Sequence, residues 1–227
     1  MSKELSERID KASEVYVQNT WLRAAINLIP YIGGSLDVVL ASRGSLHQKR
    51  IVEFLESLKE EMSHIKEERI DTAYLESSEF SDIILKLMEA SLRARDRDKM
   101  RLYAKFLRGA VLIQDRNQIS LEDYLETLIE LTPIELEVAR TIYEQQRNSE
   151  LEPNENILQW AWRKGWRDLP NRVTSVSKED LPFILLRIEK SGLVKELTGS
   201  YVGYDGGVFV VTDTFRKLMR FIDDEKT

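Results

Sequence analysis

The residues in this chain that could do chemistry are few, and the densest group is aromatic and basic. Trp162, Arg163, Lys164, Trp166, Arg167 and Arg172 fall in one short stretch. Cations interleaved with indoles can grip phosphate and stack a base or another exposed ring. The same pattern also suits amphipathic side chains wrapped around a small core. Arg187, Tyr201 and Tyr204 extend the set of candidate nucleic-acid or partner contacts. Arg187 is the one arginine between Lys178 and Lys190, and the two tyrosines lie in the turn-rich run TGSYVGYDGG.

Catalytic constellations are missing from the pattern. There is no cysteine, which excludes thiolate catalysis, disulfides and Cys-ligated zinc. The two histidines, His47 and His64, do not stand at the i, i+4 spacing of a helical metal site. Glu60–Glu61 and Glu67–Glu68 read as solvated helix faces. GYDGG (Gly203 to Gly207) lacks the lysine of a phosphate-binding loop and reads as a turn. The expectation is a non-enzyme with no cofactor and no metal.

These residues must be positioned by helices. The chain has 227 residues with ten glycines and five prolines, so long helices can run uninterrupted. Its net charge is −6 and its pI about 5.2, so its overall field does not steer it toward DNA or anionic lipid. The absence of cysteine is compatible with a reducing cytoplasm, and MSKELSERIDKASE, charged throughout, lacks the apolar run of a secretory signal. A cytoplasmic location is expected.

Leu5, Ile9, Ala12 and Val15 predict a helix over 4–28. Trp21 to Ala41 is the most apolar stretch and is broken by Pro30, Gly33 and Gly34. Arg23, Asn27 and Asp37 interrupt it, which disfavours a simple membrane-spanning helix. A bent helix buried in a bundle, with the glycines allowing close contact, is the leading expectation. An interfacial hairpin is the alternative. Trp21, Ile29, Pro30, Tyr31, Gly33 and Gly34 are the candidate membrane or partner residues of this segment.

Ile51, Leu55, Leu58, Met62 and Ile65 form a heptad-like seam on a helix expected from Leu46 to Glu68, in a bundle or a coiled coil with another copy. A helical hairpin follows over 80–113, its stripes built on Ile83, Ile84, Leu87, Met88 and Leu92, then Tyr103, Phe106, Leu107, Ala110 and Val111. The alternating charges from Arg93 to Lys99 suit a solvated loop between them. Ser120 starts another helix. Thr132–Pro133–Ile134–Glu135 is the sharpest local signal: threonine caps, proline takes the first turn, and the glutamate reaches back to a free amide. The domain boundary is placed there.

Beyond it come a helix carrying Val138 and Ile142, a short helix over Ile157 to Arg163, a polar connector from Arg167 to Ser177, and a third helix starting between Ser177 and Pro182. That helix stops at Ser191–Gly192. Strands are expected over Leu193 to Leu197 and Val208 to Val211, then a final helix capped by Thr212 or Asp213. The predicted fold is mainly α: a helical bundle over 1–130 and a winged-helix-like α+β domain over 131–227.

In its segment KSGLV (Lys190 to Val194) and in Val211, Thr212, Leu218 and Phe221, which lead from the second strand into the closing helix, the tail resembles winged-helix domains of bacterial regulators. The whole chain is similar to uncharacterised bacterial proteins with an apolar segment like that of Ile29, Pro30, Ile32 and Gly33, a helical hairpin and such a tail. The resemblance implies a third helix and wing that bind DNA or protein. From Leu131 onward 14 Lys and Arg face 16 Asp and Glu, and the third helix opens Ser177–Lys178–Glu179–Asp180. Acids there repel phosphate, and a dedicated nucleic-acid module is usually basic. The leading expectation is a non-catalytic regulatory or interaction protein, its bundle serving oligomerisation or docking and its winged helix binding protein. A DNA-binding transcription regulator and a membrane-acting effector using 21–41 are the alternatives.

Overall fold

A computed structural model describes residues 45–62, 65, 69–75, 77–94, 96–112, 120–147, 149–166, 168–197 and 207–223. The expected helix over 4–28, the segment 21–41, His64 and the 198–206 part of the turn-rich tip lie outside them. The described chain is mainly helical, with one antiparallel pair of strands. It divides into two units, Met1–Glu126 with Phe221–Thr227, and Thr127–Arg220.

In the first unit, helix α1 (Ser45–Met62) buries Ile51, Phe54, Leu55, Leu58 and Met62. It ends earlier than the seam suggests. Ile65 sits in a bend, its amide donating to the carbonyl of Met62 at 3.1 Å. A short helix α2 (Thr72–Leu75), which the sequence did not announce, precedes α3 (Ser78–Arg93). Ser77 caps α3, its hydroxyl accepting from the Phe80 amide at 3.1 Å. Ala94 turns to extended backbone and ends the helix, and α4 (Arg97–Leu112) follows. Both apolar stripes expected for this hairpin are buried.

Helix α1 packs on α4 and α3, so one core gathers Phe54, Phe80, Tyr103 and Phe106. Burial pushes the Tyr103 hydroxyl up to about 12. Arg108 bonds Glu61 at 2.8 Å with both side chains mostly buried. Helix α5 (Leu121–Glu130) buries Tyr124 and Leu125.

The second unit begins within α5 and continues into α6 (Pro133–Gln146). Thr132 Oγ1 accepts from the Glu135 amide at 3.2 Å, and Glu135 Oε2 accepts from the Thr132 amide at 2.7 Å: the full reciprocal box. A second box, Asn156 with Gln159, opens α7 (Ile157–Ala161), which widens into a π-helical turn over Trp162–Trp166. The polar connector holds a one-turn helix, α8 (Leu169–Arg172): Pro170 presets its first turn and Leu169 is fully buried.

Helix α9 (Leu181–Lys190) follows the Ser177 turn and ends at Gly192, whose positive φ of 76° is left-handed backbone that favours glycine. Strand β1 (Val194–Leu197) pairs antiparallel with β2 (Val208–Val211), Val194 opposite Val211 and Leu197 opposite Val208. Thr212 then caps α10 (Asp213–Ile222), its hydroxyl accepting from the Phe215 amide at 3.2 Å. The core of this unit holds Val138, Ile142, Leu185, Ile188, Phe215 and Leu218.

Candidate interaction surface

The aromatic and basic cluster sits on the π turn after α7. Trp162 is 49% exposed there, whereas Trp160, two residues earlier, is buried against Val208. Arg163 is not offered to a phosphate. Its Nε and Nη2 donate to the two carboxylate oxygens of Glu155 at 2.7 and 2.6 Å, and its Nη1 stands 3.0 Å from Glu152. Such a fork-on-carboxylate pair is the strong form of an ion pair. The hydrogen bonds from Arg163 lower the Glu155 carboxyl to about 2 against its desolvation, with help from the backbone amide of Glu152, which donates to it, and from the charge of Lys164. Two carboxylates therefore answer the one guanidinium at the centre of the cluster.

Lys164 is half-buried, and Arg172 is exposed at the end of α8. The backbone of Trp166 closes the π turn. The side chain of Trp166, and Arg167, Tyr201 and Tyr204 entirely, lie outside the described residues, as do Trp21, Ile29, Pro30, Tyr31, Gly33 and Gly34.

Arg187 stands apart from that cluster, on α9. Its Nε is 2.5 Å from Oε1 of Glu135, the buried capping glutamate of α6, and its guanidinium carbon is 5.9 Å from the centre of the Phe183 ring. Burial pushes the Glu135 carboxyl up, but the Thr132 amide and hydroxyl and the Arg187 cation outweigh it, so the net shift is downward. The one arginine of the third helix is thus held by its own domain.

Helix α9 also carries the residues that sequence reasoning missed. Its inner face buries Leu181, Leu185 and Ile188. Its outer face leaves Phe183 61% and Leu186 56% exposed, the two most exposed large apolar side chains among the described residues. Glu179, Pro182 and Lys190 are exposed beside them. Part of the signal was in the chain: LPFILLRIEK carries large apolar residues on more than one face of a ten-residue helix, so it either packs on several sides or shows an apolar face to solvent.

No group of three or more His, Asp or Glu suited to a metal ion occurs among the described residues. No helix among them is long and apolar enough to cross a membrane. The arrangement has groups for contact and charge pairing. No family model, curated protein or solved structure matches this chain.

Proposed function

We propose that this chain is a non-catalytic interaction or regulatory protein whose C-terminal unit is a winged-helix-like module that binds protein through the outer face of α9. The order α6, α7, the one-turn α8, α9, hairpin, α10 is that of a winged-helix domain with a short extra helix before its recognition helix, and supports the winged-helix reading. The observation that carries the protein-binding reading is the exposure of Phe183 and Leu186 on the third helix. A helix that reads DNA presents Arg, Asn or Gln to base edges and cations to phosphates. This one presents a phenylalanine and a leucine, its arginine is paired with Glu135, and its one other cation is Lys190 at its last position. Exposed aromatic and aliphatic side chains grouped on one face are the anchors of protein interfaces. The acidic balance of the tail agrees.

The test combines two measurements on the full chain. Fluorescence anisotropy with a labelled DNA duplex at low and moderate salt is expected to show no salt-sensitive binding. A photo-crosslinking residue at position 183 or 186, introduced in living cells, is expected to give a discrete protein adduct that is absent when the residue is placed at Thr214, which is also exposed. Salt-sensitive DNA binding that falls in an Arg163→Glu, Lys164→Glu variant would replace this reading with the transcription-regulator one.

A further inference from the structure

We propose that the partner of the α9 face is the α9 face of a second copy of this chain, the two helices packing antiparallel about a two-fold axis. The inference rests on the protein-binding reading of α9 and names its occupant.

Glu179, Phe183, Leu186 and Lys190 are spaced four, three and four residues apart, so they form one stripe along the helix and the turn that leads into it. All four are exposed. The stripe has an acid at one end, two apolar residues in the middle and a base at the other end. Neither Glu179 nor Lys190 has an ion-pair partner among the described residues. The other two acids at its flanks are occupied within the chain. Asp180 Oδ2 accepts from the Ser177 hydroxyl at 2.7 Å, and Glu189 Oε1 accepts from the Glu196 amide at 2.7 Å.

A two-fold contact places the same patch on both sides, so the patch must complement itself when reversed. With the axis midway between Phe183 and Leu186, Phe183 faces Leu186 of the second copy, and Glu179 faces its Lys190. Both pairs occur twice. Pro182 then meets the aliphatic stem of Arg187, whose guanidinium stays with Glu135. A parallel arrangement would set Glu179 against Glu179 and Lys190 against Lys190, and like charges opposed across an interface disfavour it. Charge order thus makes the stripe complementary to itself and sets the direction of the pair. A single helix pair covers little surface, so the dimer is weak, with a dissociation constant on the order of 100 µM.

The decisive experiment is sedimentation equilibrium of the full chain from about 1 to 300 µM at low salt, bracketing that constant. The average mass is expected to rise toward the dimer. Glu179→Lys and Lys190→Glu are each expected to weaken self-association about tenfold or more, because each turns two attractive pairs into repulsive ones. An equimolar mixture of those two variants is expected to recover dimerisation, since every crossing pair is then again of opposite sign. Circular dichroism melts of both variants, which alter exposed residues, are expected to match the wild type. A wild-type chain that stays monomeric throughout would overturn the proposal. So would a dimer indifferent to both charge reversals, or a mixture that does not recover. Crosslinks from position 183 separate the two levels. A monomer with an adduct to a different protein removes the self-pairing and leaves the binding face. A monomer with no adduct and salt-sensitive DNA binding removes both.

Discussion

The carboxamide of Gln146 completes the hairpin of the second unit: Nε2 donates to the carbonyl of Phe209 at 3.0 Å, and Oε1 accepts from the amide of Val211 at 3.0 Å. Among the described residues strand β2 has one strand neighbour, β1, so its other edge would leave buried polar groups unpaired. A fully buried side chain at the end of α6 stands in for the missing strand. Gln146→Leu keeps the volume and removes both bonds, leaving two backbone groups without partners. It is expected to destabilise the chain by about 3 kcal/mol. Urea unfolding would show the loss, and a change under about 1 kcal/mol would mean that water reaches this edge.

Glu135 serves two elements at once, capping α6 and receiving Arg187 of α9. Glu135→Ala is expected to cost about 2 kcal/mol, because it removes the box and leaves the guanidinium unpaired. Glu135→Gln keeps the reciprocal cap and is expected to cost less. Arg187→Ala is expected to cost about 1 kcal/mol, since Arg187 is half exposed and the Thr132 amide still bonds the carboxylate. Equal losses in all three variants, read by thermal melts, would contradict this division of labour.

The pairing of Glu155 with Arg163 has a defined pH signature. The folded-state value of about 2 lies below the ordinary 4.5 of a glutamate. A depressed value means that the pairing contributes stability fully above about 4.5 and loses it as the pH falls through about 2. A carboxyl-carbon NMR titration should place the Glu155 midpoint near 2 in the wild type, and Arg163→Gln should move it upward. A wild-type midpoint at the ordinary value would show that the fork is not formed in solution.

Gly109 on α4 is a matter of space. A Cβ there would stand 2.4 Å from the carbonyl oxygen of Phe221 and 2.5 Å from its Cα. The Phe221 ring lies 5.4 Å from that of Phe106 and 5.7 Å from that of Tyr124. Helix propensity alone makes Gly→Ala stabilising by about 1 kcal/mol. The clash reverses the sign, and Gly109→Ala is expected to destabilise by about 2 kcal/mol while altering the near-UV signal of the aromatic cluster. A stabilised variant would show that the end of α10 does not rest on α4.

Features whose partners lie within a few residues were legible in the chain. Thr132 and Glu135 satisfy each other across one helical turn, Thr212 caps the helix that it opens, Gly192 supplies the left-handed stop after α9, and the β-branched run Val208–Val211 became β2. Each depends on local sterics and nearby hydrogen bonds. Long-range pairings were not legible. The partners of Gln146 lie 63 and 65 positions away, and nothing near Gln146 marks it as a strand substitute. Arg163 read either as a cation for a ligand or as an amphipathic side chain on a small core, and only the fold brought Glu155, eight positions earlier, to it across the start of α7. Leu169 could become the buried pin of a helix only where a core surrounded it. Phe183 and Leu186 show the same limit from outside: periodicity marks LPFILLRIEK as apolar, but which of its faces meets the core is set by the elements packed against α9.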